Sequence, residues 1–212
     1  MTVVDLASAA VTAEFEVGGG PEQIDLSPDG SVGMVNLAGD GGVKTFRTTD
    51  PENTLSENLE VSGDPSWVLF LEQTPTKGFV TNSMGPPGFS VLDLETPSAP
   101  AVLEQQMSLG FPYAGAVMPG TDTVYMIAAE DVLHFYEIDA GSEPAIVNYD
   151  LNIPTMAFPL GVVLDATDNL AFFAAPGANT LVRVDLSTRD VVEIPWNMDA
   201  TGPTYIALQP AG

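Results

Sequence analysis

The chain has no cysteine in its 212 residues, which excludes disulfides, thiolate metal centres and cysteine nucleophiles. It has one histidine, His134, so a multi-histidine metal site is excluded and a Ser-His-Asp triad would depend on that single ring. No Gly-x-Ser-x-Gly elbow exists to place a serine before it. Basic residues are scarce as well: five Lys plus Arg stand against 29 Asp plus Glu, giving a formal net charge of -24. A surface of that sign repels phosphate backbones and anionic lipid, so no nucleic acid partner and no membrane insertion are expected. No apolar run approaches the roughly 20 residues of a spanning helix; the greasiest stretches, "SWVLFL" and "NLAFFAAP", are short. The opening "MTVVDLASAA" lacks the basic segment and apolar centre of an export leader and reads as a strand followed by a turn.

Hydrophobic residues make up 45% of the chain, which is ample for a packed core. Sparse lysine with abundant Asp, Glu, Ala, Gly and Thr resembles the composition of halophilic or marine microbial proteins, where hydrated carboxylates keep the surface soluble and cations screen their repulsion.

The clearest signal is repetition. The stretch "GGGPEQIDLSPDG", residues 18–30, sets glycine and proline before a short apolar strand and closes it with a Pro-Asp-Gly turn. Its proline recurs as Pro21, Pro65, Pro112, Pro159 and Pro203, at spacings of 44, 47, 47 and 44. A second ladder runs through "VVDL" (3–6), "SVLDL" (90–94), "FYEID" (135–139) and "VRVDL" (182–186), with Arg47 in the slot 46 residues before Asp93. Between these marks the residues alternate with a step of two and favour Val, Ile, Phe, Tyr and Leu, which predicts strands and almost no helix. Each period predicts four of them. The first strands are "EQIDLS", "SWVLFL", "YAGAVM", "LGVVLD" and "TYIALQ"; the second are "VGMVNL", "GFVTN", "TVYMIAA" and "LAFFAA". Third strands follow on the Asp-Leu ladder, and the fourth are "VTAEFEV", "LSENLEV", "AVLEQQMSL", "AIVNYDL" and "VVEIPW". Four strands per 44 to 47 residues is the blade of a β-propeller, so residues 1–212 are expected to form one all-β propeller domain of about five blades.

"GFVTNSMGPPGFSVLDLETPSAPAV" and the opening stretch resemble the YVTN-type β-propeller repeat, whose pattern is Gly-x-Pro, a Ser-Pro-Asp-Gly turn, a Tyr-Val-Thr-Asn strand and a Val-Ile-Asp-Leu strand. Phe79, Val80, Thr81 and Asn82 match it best, while "MVNL" and "MIAA" keep only the apolar step. The resemblance implies the propeller fold and a cell-surface or exported location, mostly with binding roles. Some relatives are lactonases or resemble quinoprotein dehydrogenase chains.

The predicted set holds five first, third and fourth strands but four second strands. Either the N-terminal strands pair with the last one, giving a five-bladed ring short of one strand, or the chain belongs to a longer propeller. An open blade edge, with self-association or an absent partner segment, is expected in both cases.

The repeated residues themselves read as structural. Proline suits the start of a strand, glycine the tight crossing between blades, and Asp5, Asp93, Asp139 and Asp185 the capping of a turn where a strand ends. Binding is expected on the face where the loops leading into first strands meet those joining second to third strands. It would collect Glu22, Trp67, Tyr113, Phe158 and Tyr205 from the first group and Asp40, Asn82, Met84, Asp131 and Asn179 from the second. Asp40, Asn82 and Asp131 are expected to be exposed, whereas Trp67 and Tyr205 also suit packing between blades. No cofactor is expected; calcium is the one metal considered, with the oxygen-rich turn of Asp165, Asp168 and Asn169 as its candidate ligands, though the turn lacks the spacing of an EF-hand. The resulting expectation is a non-enzymatic, exported or surface-associated propeller that binds a protein or glycan. The alternatives are a lactonase-like or quinoprotein-related enzyme using channel carboxylates or a bound metal, and a structural module of a surface-layer or multidomain protein.

Overall fold

The computed structural model describes residues 1–83, 87–107, 109–130, 132–141, 145–154, 159, 161–175 and 179–195. The first two strands, β1 (Thr2–Asp5) and β2 (Ala10–Glu14), form an antiparallel pair. Four antiparallel four-stranded sheets follow, each a meander in chain order. The first holds β3 (Pro21–Leu26), β4 (Val32–Leu37), β5 (Gly42–Arg47) and β6 (Leu59–Glu60), with a single-turn helix α1 (Pro51–Thr54) before β6. The second holds β7 (Pro65–Phe70), β8 (Lys77–Asn82), β9 (Gly88–Asp93) and β10 (Ala101–Met107). The third holds β11 (Phe111–Val117), β12 (Thr123–Ala129), β13 (Val132–Asp139) and β14 (Ala145–Pro154). The fourth holds β15 (Val162–Asp165), β16 (Leu170–Ala175), β17 (Thr180–Asp185) and β18 (Val191–Pro195). The architecture is a β-propeller, with β3 against β7, β7 against β11 and β11 against β15 as successive inner strands.

The period of the sequence is the period of the blades because each blade is apolar on both faces and must bury both. Phe79, Phe89, Val91 and Leu71 of the β7–β10 blade meet Met126, Val124, Tyr136 and Ile138 of the next one. The opposite face of that next blade, with Ile127, Leu133 and Phe135, packs on Phe173, Val182 and Val184. Stacked pairs Phe79–Phe89 and Tyr125–Phe135, with ring centroids 4.7 and 5.5 Å apart, strengthen these seams. Second strands sit in the middle of each blade and are therefore the most deeply buried; from Gly33 to Leu37, β4 is buried at every residue.

Two glycines are fixed by this geometry. Gly20 has φ +64°, and a Cβ there would lie 2.6 Å from the Gly39 nitrogen, so the lead-in to β3 admits no side chain. A Cβ on Gly33 would lie 2.2 Å from Cζ of Phe46, inside the ring that fills the blade.

The fourth strand expected over "LSENLEV" is much shorter than its sequence suggests. Only Leu59–Glu60 form regular strand, since Asp50–Pro51 starts a helical turn after β5 and side chains complete the ladder instead. The amide of Thr45 donates to Oγ of Ser56 (3.0 Å), and the amide of Arg47 to Oγ1 of Thr54 (2.8 Å). Arg47, the missing rung of the aspartate ladder, thus marks the blade whose strand end is closed by α1 rather than by a carboxylate.

Candidate functional site

The lead-in loops and the loops from second to third strands do share one face. In the β3–β6 blade, the Gly19 amide donates to Oδ2 of Asp40 (2.7 Å) and the Ala38 amide to the Gly20 carbonyl (2.9 Å). In the β7–β10 blade the Ser83 amide donates to the Asp64 carbonyl (2.8 Å). Asn36 ties blades together here: Oδ1 accepts from the Gln23 amide (2.6 Å), and Nδ2 donates to the carbonyl of Pro65, the lead-in proline of the next blade (2.8 Å). Its fully buried amide thus bonds two backbone groups, one in its own blade and one in the next.

The expected binding residues fall into five groups. Glu22 and Asn179 are exposed on this face, Asn179 in a left-handed turn conformation with φ 52°. Asp40 is exposed, but its carboxylate is engaged by the Gly19 amide and its carbonyl by Nδ2 of Asn58 (3.2 Å), so it fastens two loops. Trp67 and Tyr113 are half-buried against the seam formed by Phe135 and Phe173, which makes them packing residues with one polar edge. Asn82 is a correction: expected in an exposed loop, it is the last residue of β8 and fully buried, with Nδ2 donating to Oγ of Ser90 (3.2 Å). Met84, Asp131, Phe158 and Tyr205 lie outside the described residues.

Sequence reasoning passed over Phe111 and Glu130. Phe111 opens β11 with 53% of its surface exposed and pairs with Ala129; Glu130, which follows Ala129 and lies against Gly110, is also exposed. An exposed aromatic ring suits a sugar face or a cationic side chain, and an exposed carboxylate at the same end of the blade suits a cation. The signal was available: Phe111 precedes a lead-in proline, as Phe158 does.

At the other end of the blades the aspartates turn on their own backbones. Oδ1 of Asp5 accepts from the Ser8 amide, that of Asp93 from the Glu95 amide, and that of Asp185 from the Ser187 and Thr188 amides. The candidate calcium turn uses the same device: Oδ1 of Asp165 accepts from the amides of Thr167 (2.9 Å) and Asp168 (3.3 Å), while Nδ2 of Asn169 donates to Oγ of Ser187 (2.7 Å). Among the described residues no three His, Asp or Glu side chains gather closely enough to hold a metal ion. Asp29 accepts from both Ser hydroxyls, Ser27 (2.7 Å) and Ser31 (2.8 Å), and from the Ser31 amide (3.0 Å). These bonds, led by the Ser27 hydroxyl, lower its pKa to about 2. Its stabilising contribution is therefore complete above the unfolded value of 3.8 and disappears as pH falls towards 2. Ser27→Ala is expected to raise the Asp29 pKa, read from its carboxyl carbon shift in an NMR titration; an unchanged value would remove the hydroxyl as the cause.

Over the inner strands lies a cleft of about 250 Å³ lined by Asp25, Leu26, Leu69, Glu72 and Val117. Asp25 is half-buried and its pKa is raised by desolvation, with the negative charge of Glu72 adding to the shift. Oδ2 of Asp25 accepts from the Phe70 amide (2.7 Å), and Oε1 of Gln23 from the Val68 amide (2.9 Å), so side chains of β3 pair with the backbone of the next blade.

No family model matches the chain, and no curated protein does. Solved structures do. Hydrazine synthase of Kuenenia stuttgartiensis superposes with a TM-score of 0.73 at 15% identity, covering 88% of this chain and 58% of that one. A functionally unknown protein from Desulfotomaculum acetoxidans gives 0.73 at 18% identity, covering 95% and 65%. The β-propeller domain of Cps50 (Swd1) from Myceliophteria thermophila gives 0.68 at 14% identity, covering 92% and 59%. The chain thus spans about three-fifths of the length of these structures, and the likeness shows the propeller fold.

Proposed function

We propose that the chain is a non-enzymatic recognition propeller of the YVTN-repeat type, exported or surface-associated, which holds a protein or glycan on its lead-in face. The observation that carries this reading is the division of labour on that face: Asn36, Asp40 and Asn82 are engaged in the framework, while Glu22, Phe111 and Glu130 stand exposed. Polar groups locked to backbone are poor catalysts and good girders; exposed aromatic and acidic groups on rigid loops suit reversible contacts. The -24 charge suits a partner that is cationic or neutral.

The test is a glycan array together with titration of a lysine-rich peptide, using the full chain and the variants Phe111→Ala and Glu130→Lys. Saturable binding to one class, weakened at least tenfold in both variants, supports the reading. The rival enzymatic reading is favoured by one feature, the Asp25 and Glu72 carboxylates facing a common cleft. Hydrolysis of a lactone that is lost in Asp25→Asn, with Phe111→Ala unaffected, would replace the first reading with the second.

A further inference from the structure

The inner strands differ in how their outward edges are closed. The Leu71 amide donates to the Lys77 carbonyl (3.2 Å), so by the alternation of an antiparallel ladder the amides of Val68 and Phe70 point away from β8. Oε1 of Gln23 and Oδ2 of Asp25 accept from these two amides. On β11 the Met118 amide donates to the Thr123 carbonyl (2.9 Å), and the same alternation turns the N–H and C=O groups of Gly115 and Val117 away from β12. The steps of β7 that correspond to Gln23 and Asp25 hold Trp67 and Leu69, neither of which carries a side-chain acceptor. Leu69 instead lies against Gly115, where a Cβ would come within 3.3 Å of its Cδ1. Among the described residues nothing accepts from the amides of Gly115 and Val117, although Gly115 is buried and Val117 half-buried. Buried N–H groups without a partner are uncommon in folded chains.

Both residues line the cleft of about 250 Å³ whose walls also include Asp25, Glu72, Leu26 and Leu69. The lining thus combines a strand edge, offering donors and acceptors about 6 to 7 Å apart at two residues' rise, with two carboxylates and apolar side chains. Asp25 holds its charge at a cost, since burial first, and the charge of Glu72 after it, raise its pKa. A cation between the two carboxylates offsets that cost. The cleft is smaller than the roughly 300–1,000 Å³ that enclose a drug-sized ligand, so it takes the end of a chain rather than a run of it. Main chain and positive charge must then be adjacent, which describes an α-ammonium group. The protein's own segments do not match this chemistry: the amino group of Met1 donates to the Phe15 carbonyl (2.6 Å), and residues 196–212 contain no Lys, Arg or His.

We propose that this cleft binds the amino-terminal end of an extended peptide, with its α-ammonium group between Asp25 and Glu72 and its first peptide groups on the free edge of β11 at Gly115 and Val117. The ammonium group brings three donors to a site rich in acceptors, and the bonds to the carboxylates are charge-assisted. Main-chain pairing with β11 gives the amide of Val117 a partner and sets the direction of the bound chain. Leu26, Leu69 and Val117 flank the first side chain and favour an apolar one. Pro28 and Glu72, which follow β3 and β7, and Val117, which ends β11, place the cleft at the end of the inner strands away from the lead-in loops. The site is therefore separate from the lead-in face and stands or falls independently of the function proposed for it.

The experiment titrates the full chain with the peptide Leu-Ala-Ala amide, which has a free amino terminus, by calorimetry and by NMR of the backbone amides. The control is acetyl-Leu-Ala-Lys amide, equal in charge but with its cation at the other end. Expected are saturable binding of the first peptide, at least tenfold weaker binding of the control, and shifts of the Gly115 and Val117 amide signals on binding. Asp25→Asn and Glu72→Gln are each expected to weaken binding at least tenfold. Val117→Pro, which removes an amide that no ladder bond uses, is expected to do the same while leaving the circular dichroism unchanged. Phe111→Ala, on the lead-in face, is expected to bind as wild type does. Equal binding of the control, binding that ignores Asp25→Asn and Glu72→Gln, loss of binding in Phe111→Ala, or no binding at all would overturn the proposal. Nuclear Overhauser contacts between the Gly115 amide and residues 196–212 that the peptide does not remove would do the same.

Discussion

Asp122→Ala is expected to lower the melting temperature by roughly 10 °C, a loss of about 3 to 4 kcal/mol at 2–4 °C per kcal/mol for a chain of this size. Asp122 sits in the turn before β12, with 9% of its surface exposed, and its carboxylate reaches across to the preceding blade. There Oδ1 accepts from the amides of Gln73 (2.8 Å) and Thr74 (3.1 Å), and Oδ2 from the Thr74 hydroxyl (2.5 Å). The contact is doubled by Nε2 of Gln73, which donates to the Gly120 carbonyl (2.6 Å). Truncation leaves two backbone donors without partners in a part-buried seam, at about 1–3 kcal/mol for each unsatisfied group. It also opens a gap where the Asp122 side chain now lies against Gly141, whose Cβ would come within 3.0 Å of Oδ2. Asp122→Asn is expected to keep about half of the stability lost by alanine, because an amide oxygen still accepts from both backbone donors. Thermal unfolding of the two variants, followed by circular dichroism, is the measurement. Equal melting temperatures for wild type and Asp122→Ala would show that the blades are held by their apolar seams alone.

That clamp marks the boundary of what the sequence discloses. Blade period, strand positions and the capping role of Asp5, Asp93 and Asp185 are legible because they are local: alternation with a step of two and an aspartate followed by amides two or three residues on are both written along the chain. Asp122 reads as one more turn residue in "PGTDT", since nothing local says that its acceptors serve amides 48 and 49 residues earlier. Asn82 misleads for a related reason. Its place at the end of an apolar run suggests a loop, but second strands lie in the blade centre and are covered on both faces, so a polar residue at the strand's last step is interred with it. Asn36, 46 residues earlier, shows the use of that position: it binds its own blade and the next. The candidate site suffers most from this, because the residue types that suggest recognition on a loop face are the same types that fasten the loops together, and only the distances separate the two uses. Phe111 and Glu130 read as ordinary strand-end residues, and only the β11–β12 register brings them to the same end of the blade.

Raising NaCl from about 0.05 to 1 M is expected to lift the melting temperature by roughly 10 °C or more, with most of the gain complete by 1 M, where the Debye length has shortened to about 3 Å. The reason lies in the imbalance of 29 acidic against five basic residues: even if every Lys and Arg met a carboxylate, most acids would have no cation of the protein's own. Folding brings these charges together, and the unfolded chain relaxes their repulsion by expanding, so salt that screens the repulsion favours the compact state. Screening has a signature that distinguishes it from salting-out, which also stabilises folded chains. Chloride and sulfate at equal ionic strength should act alike if screening dominates, whereas salting-out favours sulfate strongly. A second control changes the charge instead of the solvent. Glu14→Lys, Glu16→Lys, Glu52→Lys and Glu104→Lys, all at exposed positions, each add two units and move the net charge from -24 by +8 to -16. The quadruple variant should be more stable than wild type at low salt, converge with it at 1 M, and show a shallower dependence between. If its salt dependence matches that of wild type, self-repulsion is not what limits the stability of this fold, and the acidic surface must be explained by its partners instead.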